Sequence, residues 1–134
     1  MKKLILLLGL LCLSISAFAE KLTGTFKGEL HQVSGEVELE TTGKEIIINN
    51  FTYDGKGKDV YLVLTKDGDL KDVEIISKEL KKASVNETMK LKVNHIDKLI
   101  DKGYNTVSVY TKKGKSSFGD AKLTEETAAT EDTK

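Results

Sequence analysis

Residues 36–49, EVELETTGKEIIIN, decide the fold of this chain. Charged and apolar side chains alternate strictly from Glu36 to Glu40, which is typical of a half-buried strand with Val37 and Leu39 facing a core. The polar residues 41–44 form a turn, and the β-branched run after them favours a second strand. The stretch therefore predicts a β-hairpin.

Strand signals recur on both sides of this hairpin. Six further strands are predicted at residues 25–30, 60–64, 73–76, 88–93, 106–110 and 117–123. The run 60–64 is almost continuously apolar, which favours the centre of a sheet. Residues 94–103 break the alternation, with Asn94 as the cap and Gly103 as the end of one short helix. About eight short strands separated by turns predict an all-β, antiparallel sandwich or barrel.

The first 19 residues have the pattern of a signal peptide. Lys2 and Lys3 precede an apolar run over residues 4–13, and the small residues Ala17 and Ala19 predict cleavage between Ala19 and Glu20. A membrane-spanning helix needs about 20 apolar residues, more than this run contains. We expect a periplasmic or secreted protein without a membrane anchor.

Cysteine usage limits the chemistry of the exported chain. Cys12, the one cysteine, lies in the predicted signal peptide, behind Leu10 and Leu11. These large residues are unlike the small residue that precedes a lipidated cysteine. The mature domain must therefore fold without disulfides, and export without disulfides favours a bacterial protein.

Charge and composition exclude some classes of partner. The chain has 21 basic and 21 acidic residues, and every basic residue is a lysine. Nucleic-acid binding normally needs a basic stripe and uses arginine for bidentate contacts, so we expect no nucleic-acid partner. Residues 124–134 hold no large apolar side chain and predict a disordered polar tail. One domain over residues 20–123 remains.

The inventory of catalytic and metal-ligating residues is small. The sequence has no G-x-S-x-G, H-E-x-x-H or C-x-x-C motif, and it has two histidines, His31 and His95. The acidic loops 54–59 and 67–69 do not match a calcium loop and instead favour solvated turns. A serine–histidine–carboxylate triad leaves no sequence signature, because its members meet only in space. We therefore expect no enzyme, no metal site and no cofactor.

Three side chains could still serve as ligands. His31, between two predicted strands, could bind a metal or haem iron, or could hydrogen-bond a turn. His95 is expected to be exposed at the start of the predicted helix. Met89 is the only methionine after Met1, and in an alternating strand it favours the core over a ligand role.

Seven segments in order resemble the DM-thirteen domain family over residues 24–123. They are Gly24-Thr25-Phe26, residues 31–37, Asn50-Phe51, residues 59–64, Leu80-Lys81, residues 104–110 and residues 118–123. The resemblance implies a small antiparallel β-sandwich in an extracellular or periplasmic protein. It also implies a neighbourhood of DOMON domains, which bind haem or sugars, and a proposed role in electron transfer through a nearly invariant cysteine.

The sequence departs from the family at two positions. The family's tryptophan–cysteine pair falls on Tyr110-Thr111, and the proline before its central strand falls on Lys58. Threonine forms neither a thiolate nor a disulfide, so the resemblance does not bring thiol redox chemistry to this chain.

Two functional hypotheses follow. The first is an exported, non-enzymatic binding or interaction module, monomeric, whose partner is an unknown protein or small ligand in the cell envelope. Its surface would involve His31, Ser34, Tyr110 and Thr111. The alternative is an electron-transfer accessory protein that binds haem or a metal through His31, with Met89 or His95 as the second ligand. An enzyme with an unrecognised site ranks last.

Overall fold

The computed structural model describes residues 20–28 and 32–125, which form a β-sandwich. This described part contains ten strands and one short helix, in two antiparallel sheets of five strands each. The strands are β1 (Lys21–Thr25), β2 (Lys27–Gly28), β3 (Val33–Glu40), β4 (Glu45–Tyr53), β5 (Val60–Lys66), β6 (Asp69–Ile75), β7 (Ser84–Lys92), β8 (Thr106–Thr111), β9 (Ser116–Lys122) and β10 (Thr124–Glu125), and the helix α1 (Ile96–Asp101) lies between β7 and β8. The predicted all-β sandwich is confirmed.

The two sheets enclose one apolar core. The first sheet has the strand order β10-β1-β3-β4-β7, and the second has the order β2-β9-β8-β5-β6. Ile46 and Ile48 of the first sheet and Leu62, Val107 and Val109 of the second are completely buried. Burial of apolar area on the two facing surfaces is the main term that stabilises such a sandwich.

The hairpin predicted over residues 36–49 is confirmed as β3 and β4. The backbone N–H of Gly43 donates to the carbonyl of Glu40 at 2.8 Å and closes the turn. The register pairs Val37 with Ile48 and Leu39 with Ile46, so the four side chains share the core face. The alternation therefore set both the strand and its inward face.

The predicted strand 25–30 was wrong as a single element. The chain forms β1 in the first sheet and β2 in the second, and it changes sheets at Phe26. Phe26 is 4% exposed, and its N–H donates to the carbonyl of Gly35 at 2.9 Å. The Phe26 ring lies in the core at this crossing, with its centroid 5.8 Å from that of Phe51, and so anchors the connection between the sheets.

The predicted disordered tail is wrong at its first two residues. Thr124 and Glu125 form β10, which pairs with β1 through Thr23–Thr124 and Leu22–Glu125. Backbone pairing orders these two residues although neither side chain is apolar. The rest of that tail, residues 126–134, lies outside the described residues, as does the predicted signal peptide, residues 1–19.

The predicted helix is present as α1, with a different start. His95, not Asn94, lies at the N-cap, with a φ of 62° and no side-chain capping bond. Asp97 lies in the first turn, and Gly103 follows the helix with a φ of 104°, as the sequence predicted. No helix in the described part of the chain is long and apolar enough to cross a membrane.

β5 is an internal strand of the second sheet, between β8 and β6, although β8 occupies the central position. Val63 alternates with the core residues Leu62 and Leu64, so it lies on the outer face of the sheet, and it is nevertheless completely buried. Burial on both faces explains why the run 60–64 is almost continuously apolar.

Candidate functional site

Thr111 lies at the end of β8, beside the loop that joins β4 to β5. Its side chain is buried, and its Oγ1 donates a hydrogen bond of 2.7 Å to the carbonyl oxygen of Lys58. Val60 and Ser116 are its cross-strand neighbours. Lys58 and Thr111, the two positions at which the resemblance predicts departures from the family, therefore contact each other.

The loop before β5 packs on two aromatic rings. The N–H of Gly57 donates to the hydroxyl of Tyr53 at 2.9 Å, and the rings of Tyr53 and Phe118 are stacked with centroids 6.4 Å apart. A Cβ at Gly57 would overlap the Phe118 ring and lie 2.8 Å from the Tyr53 hydroxyl. Only glycine fits this close approach. We name Tyr53, Gly57, Lys58, Thr111 and Phe118 the closed end.

The closed end holds a neutral phenol in a buried position. Burial raises the pKa of Tyr53, the charge of Asp54 raises it further, and the hydrogen bond from Gly57 opposes this rise. Tyr53 is 1% exposed, so this phenol acts as a packing and hydrogen-bonding group at neutral pH.

Tyr110 faces away from the closed end, on the outer face of the second sheet. It alternates with the core residue Val109 and lies opposite Tyr61 of β5. Tyr110 is 7% exposed, and it lines the floor of a groove of about 880 Å³ together with residues 68–73 and Lys115. Charged side chains of Asp69, Asp72 and Lys71 also border this groove.

Ser34 is exposed on β3, in the first sheet. It alternates with buried Val33, so it points outward on the face opposite to that of Tyr110. The structure therefore does not bring Ser34 and Tyr110 onto one surface, although both strands reach the same end of the sandwich. His31 lies outside the described residues.

Met89 lines an open cleft between the edge strands of the two sheets. This edge cleft has a volume of about 750 Å³ and separates β6 and the segment after it from β7 and α1. Its apolar lining side chains include Ile76, Leu80, Met89, Leu91 and Leu99, which are partly buried against the core, together with exposed Ile75 and buried Val93. His95 is exposed, as predicted, and is not a lining residue of this cleft.

A polar cluster that the sequence did not reveal holds β6. The hydroxyl of Tyr104 donates to Asp72 at 3.0 Å, Lys66 forms an ion pair with Asp72 at 3.2 Å, and the Lys66 ammonium lies 5.0 Å from the Tyr104 ring centre. These partners lower the pKa of Asp72, and the hydrogen bond from Tyr104 makes the largest contribution. Burial, and then the bond to Asp72, raises the pKa of Tyr104. No local pattern predicts contacts so distant in sequence.

Of the two acidic loops, 67–69 begins with a turn at Asp67 and Gly68, whereas 54–59 packs on Tyr53 and Phe118. Asp54 accepts the backbone N–H groups of Lys56 at 2.9 Å and Gln32 at 3.3 Å. Asp67 accepts the side-chain amide of Asn105 at 2.7 Å. In residues 20–28 and 32–125, no three histidine, cysteine, aspartate or glutamate side chains cluster as a metal site.

Comparison with protein families supports the resemblance seen in the sequence. The model of the family described as "Electron transfer DM13" matches residues 25–123, which include β2 to β9 and the closed end. Comparisons with curated proteins and with solved structures found no match.

Proposed function

The chain belongs to the DM13 family, and from this membership we propose that it is an exported, non-enzymatic binding module that has the family's sandwich without its thiol chemistry. The family description names electron transfer. The proposal for this chain depends on Thr111, the position at which the family resemblance places the redox cysteine.

The hydrogen bond of Thr111 is the observation that carries the proposal. Thr111 is 6% exposed, and its hydroxyl is occupied by the Lys58 carbonyl. A threonine hydroxyl neither ionises near neutral pH nor forms a disulfide, so it supplies no electron carrier. The Thr111 hydroxyl instead connects β8 to the loop before β5 through this hydrogen bond.

The tethered loop supports a fixed surface at this end of the sandwich. Asp59, which follows Lys58, has a φ of 55°, and its carbonyl accepts the N–H of Lys112 at 2.9 Å. Together with the Gly57–Tyr53 bond, these contacts fix the loop from both sides. Fixed loops on a rigid sandwich are suited to recognition of a protein or small ligand.

Substitution of Thr111 tests the proposal directly. In redox titration, the exported wild-type protein is expected to give no reversible wave, whereas Thr111→Cys gains thiol reactivity. Thr111→Ser keeps the bond to Lys58, and Thr111→Val loses it, at a cost of about 0.5–1.5 kcal/mol in unfolding free energy. A reversible wave from the wild-type protein would contradict the proposal, as would hydrolysis of a panel of esters, glycosides or peptides.

The family description favours a second candidate, an electron-transfer accessory protein that binds haem or a metal. His31 would be the first ligand, and Met89 or His95 the second. An absorbance spectrum and metal analysis of protein purified from its native host separate the candidates. A colourless, metal-free protein supports the binding module, whereas haem bands or a stoichiometric metal support the electron carrier.

A further inference from the structure

β7 is the last described strand of the first sheet, and among the described strands only β4 pairs with it. The N–H of Val93, directly after β7, donates at 2.9 Å to the segment before β4 and continues the register of the two strands. In an antiparallel pair, successive residues turn their N–H and C=O groups alternately toward the partner strand and away from it. The backbone groups of Lys90 and Lys92 therefore point to the open edge.

The side chains along this edge separate into two faces of different chemistry. Met89 and Leu91 pair with completely buried isoleucines of β4, so they face the edge cleft. Lys90 and Lys92 alternate with them and lie on the outer face of the first sheet, where only Lys92 has an acidic residue, Glu45, opposite it on β4. A strand added at this edge meets apolar side chains on one face and ammonium groups on the other.

The charges at this edge fit acidic side chains on the outer face and not in the cleft. Neither Lys90 nor Lys92 forms an ion pair with a described residue. Outside β7, the charged residues that line the cleft are Glu74, Glu79 and Lys78, so acidic groups are in excess there. A complementary segment therefore carries acidic residues outward and uncharged, apolar residues inward.

The edge of β7 lacks two of the features that commonly block strand addition. The chain contains no proline, and the register of β7 with β4 is continuous from Met89 to Lys92, without a bulge. The exposed large apolar residues of the described chain are Val85 of β7, at 71%, and Ile75 of β6, at 40%, and both strands border the cleft. Lysine is the protective residue that remains, and it repels basic segments while it attracts acidic ones.

We propose that β7 binds an extended segment of a partner protein by strand addition, with apolar residues of the segment against Met89 and Leu91 and acidic residues opposite Lys90 and Lys92. Main-chain hydrogen bonds at the open edge supply affinity, and the alternation of side chains supplies specificity. Residues of opposite charge that face each other stabilise an antiparallel pair. The inference rests on the proposed binding function and specifies the partner as a segment in which acidic and apolar residues alternate.

Calorimetry of the exported protein with blocked peptides tests the inference. The peptide EVELE is expected to bind at one molecule per chain and about tenfold more tightly than KVKLK, because the reversed peptide places like charges opposite the two lysines. Lys90→Glu combined with Lys92→Glu should reverse this preference. Lys56→Glu combined with Lys113→Glu, at exposed lysines outside β7, is the charge-matched control and should leave the preference unchanged.

Amide hydrogen exchange distinguishes strand addition from adhesion of an acidic peptide to surface lysines. With EVELE bound, the amides of Lys90 and Lys92 should exchange about tenfold more slowly, because their N–H groups gain partners. The amide of Leu91, which already faces β4, should change little. The peptide EEVLE has the same composition without the alternation, and it should bind about tenfold more weakly than EVELE.

Absence of EVELE binding, equal binding of KVKLK or EEVLE, an equal effect of the control pair, or unchanged exchange at Lys90 and Lys92 would each overturn the inference. The comparison of the three peptides uses the wild-type protein, so it decides the question even if a variant does not fold. Dimerisation of the protein alone, without peptide binding, would also overturn the inference and assign the edge to a second copy of the chain. A wild-type protein that gives no redox wave and does not bind EVELE contradicts this inference alone, whereas a reversible redox wave contradicts the proposed function.

Discussion

The closed end and the edge cleft differ in how well they cover the core at the margins of the two sheets. At the closed end, Phe118 and Tyr53 stack and the loop at Gly57 lies on them. At the edge cleft, Met89 and Leu91 stay partly covered. The difference shows that ring packing and backbone hydrogen bonds cover the core at the closed end, while the core side chains at the edge cleft stay partly exposed.

β6, beside the cleft, is held in part by exposed polar contacts. Asp72 of β6 is exposed and is bound by Tyr104 and Lys66. Exposed ion pairs contribute little to stability, because solvent screens them. We therefore expect the cleft side to be the less stable part of the molecule, and three predictions test this comparison.

The largest effect is expected from loss of a ring at the closed end. Phe118→Ala should lower the unfolding free energy by about 3–5 kcal/mol, because it leaves a cavity under the loop. Met89→Ala, at the partly exposed cleft, should cost less than about 2 kcal/mol. Urea unfolding of both variants measures the two costs. Equal costs would show that the cleft wall is as tightly packed as the closed end.

A smaller effect is expected from one added methyl group. Gly57→Ala should cost about 1–3 kcal/mol, because its Cβ overlaps the Phe118 ring and the loop must move. Gly114→Ala, in the turn between β8 and β9, is the matched control, since its Cβ would meet neighbours at the ordinary distances of 3.5 and 3.6 Å. Thermal unfolding should show a clear fall for the first variant and a change within about 0.5 kcal/mol for the second. A similar fall for both would refute the tight contact at Gly57.

The smallest effect is expected from the contacts of Asp72 with Tyr104 and Lys66, and this effect depends on pH. Tyr104 and Lys66 lower the pKa of Asp72 in the folded state, so the contribution to stability is present above the unfolded-state pKa. It is lost as the pH falls through the lowered folded-state value. Asp72→Asn should therefore lower Tm slightly at pH 7, and the difference from wild type should shrink as the pH falls below the unfolded-state pKa and vanish once the carboxylate is protonated in the folded state.

Asp101→Asn is the control for Asp72→Asn, because Asp101 is an exposed carboxylate on α1. This variant should leave Tm nearly unchanged at pH 7, as expected for an ordinary surface position. A difference between Asp72→Asn and wild type that persists at low pH would show that the contact does not depend on the carboxylate charge.

Local patterns predicted most of the strands and little of the site. The hairpin of β3 and β4 and the turn between β5 and β6 follow from alternation and turn residues, which are local signals. The sheet change at Phe26 and the pairing of β10 with β1 were not predicted, because both depend on partners distant in sequence. Ser34 and Tyr110 were grouped by sequence reasoning, and the structure places them on opposite faces.

By itself, the sequence determined the class of fold, the inward face of each alternating strand, and the presence of threonine where relatives are expected to carry a cysteine. These properties follow from the identity of each residue and from the alternation of apolar and polar residues with a period of two. The tertiary structure alone decided that the Thr111 hydroxyl donates to the Lys58 carbonyl and that Met89 faces an open cleft. Such contacts arise from the packing of two sheets, and no local pattern encodes which edges meet and which stay apart.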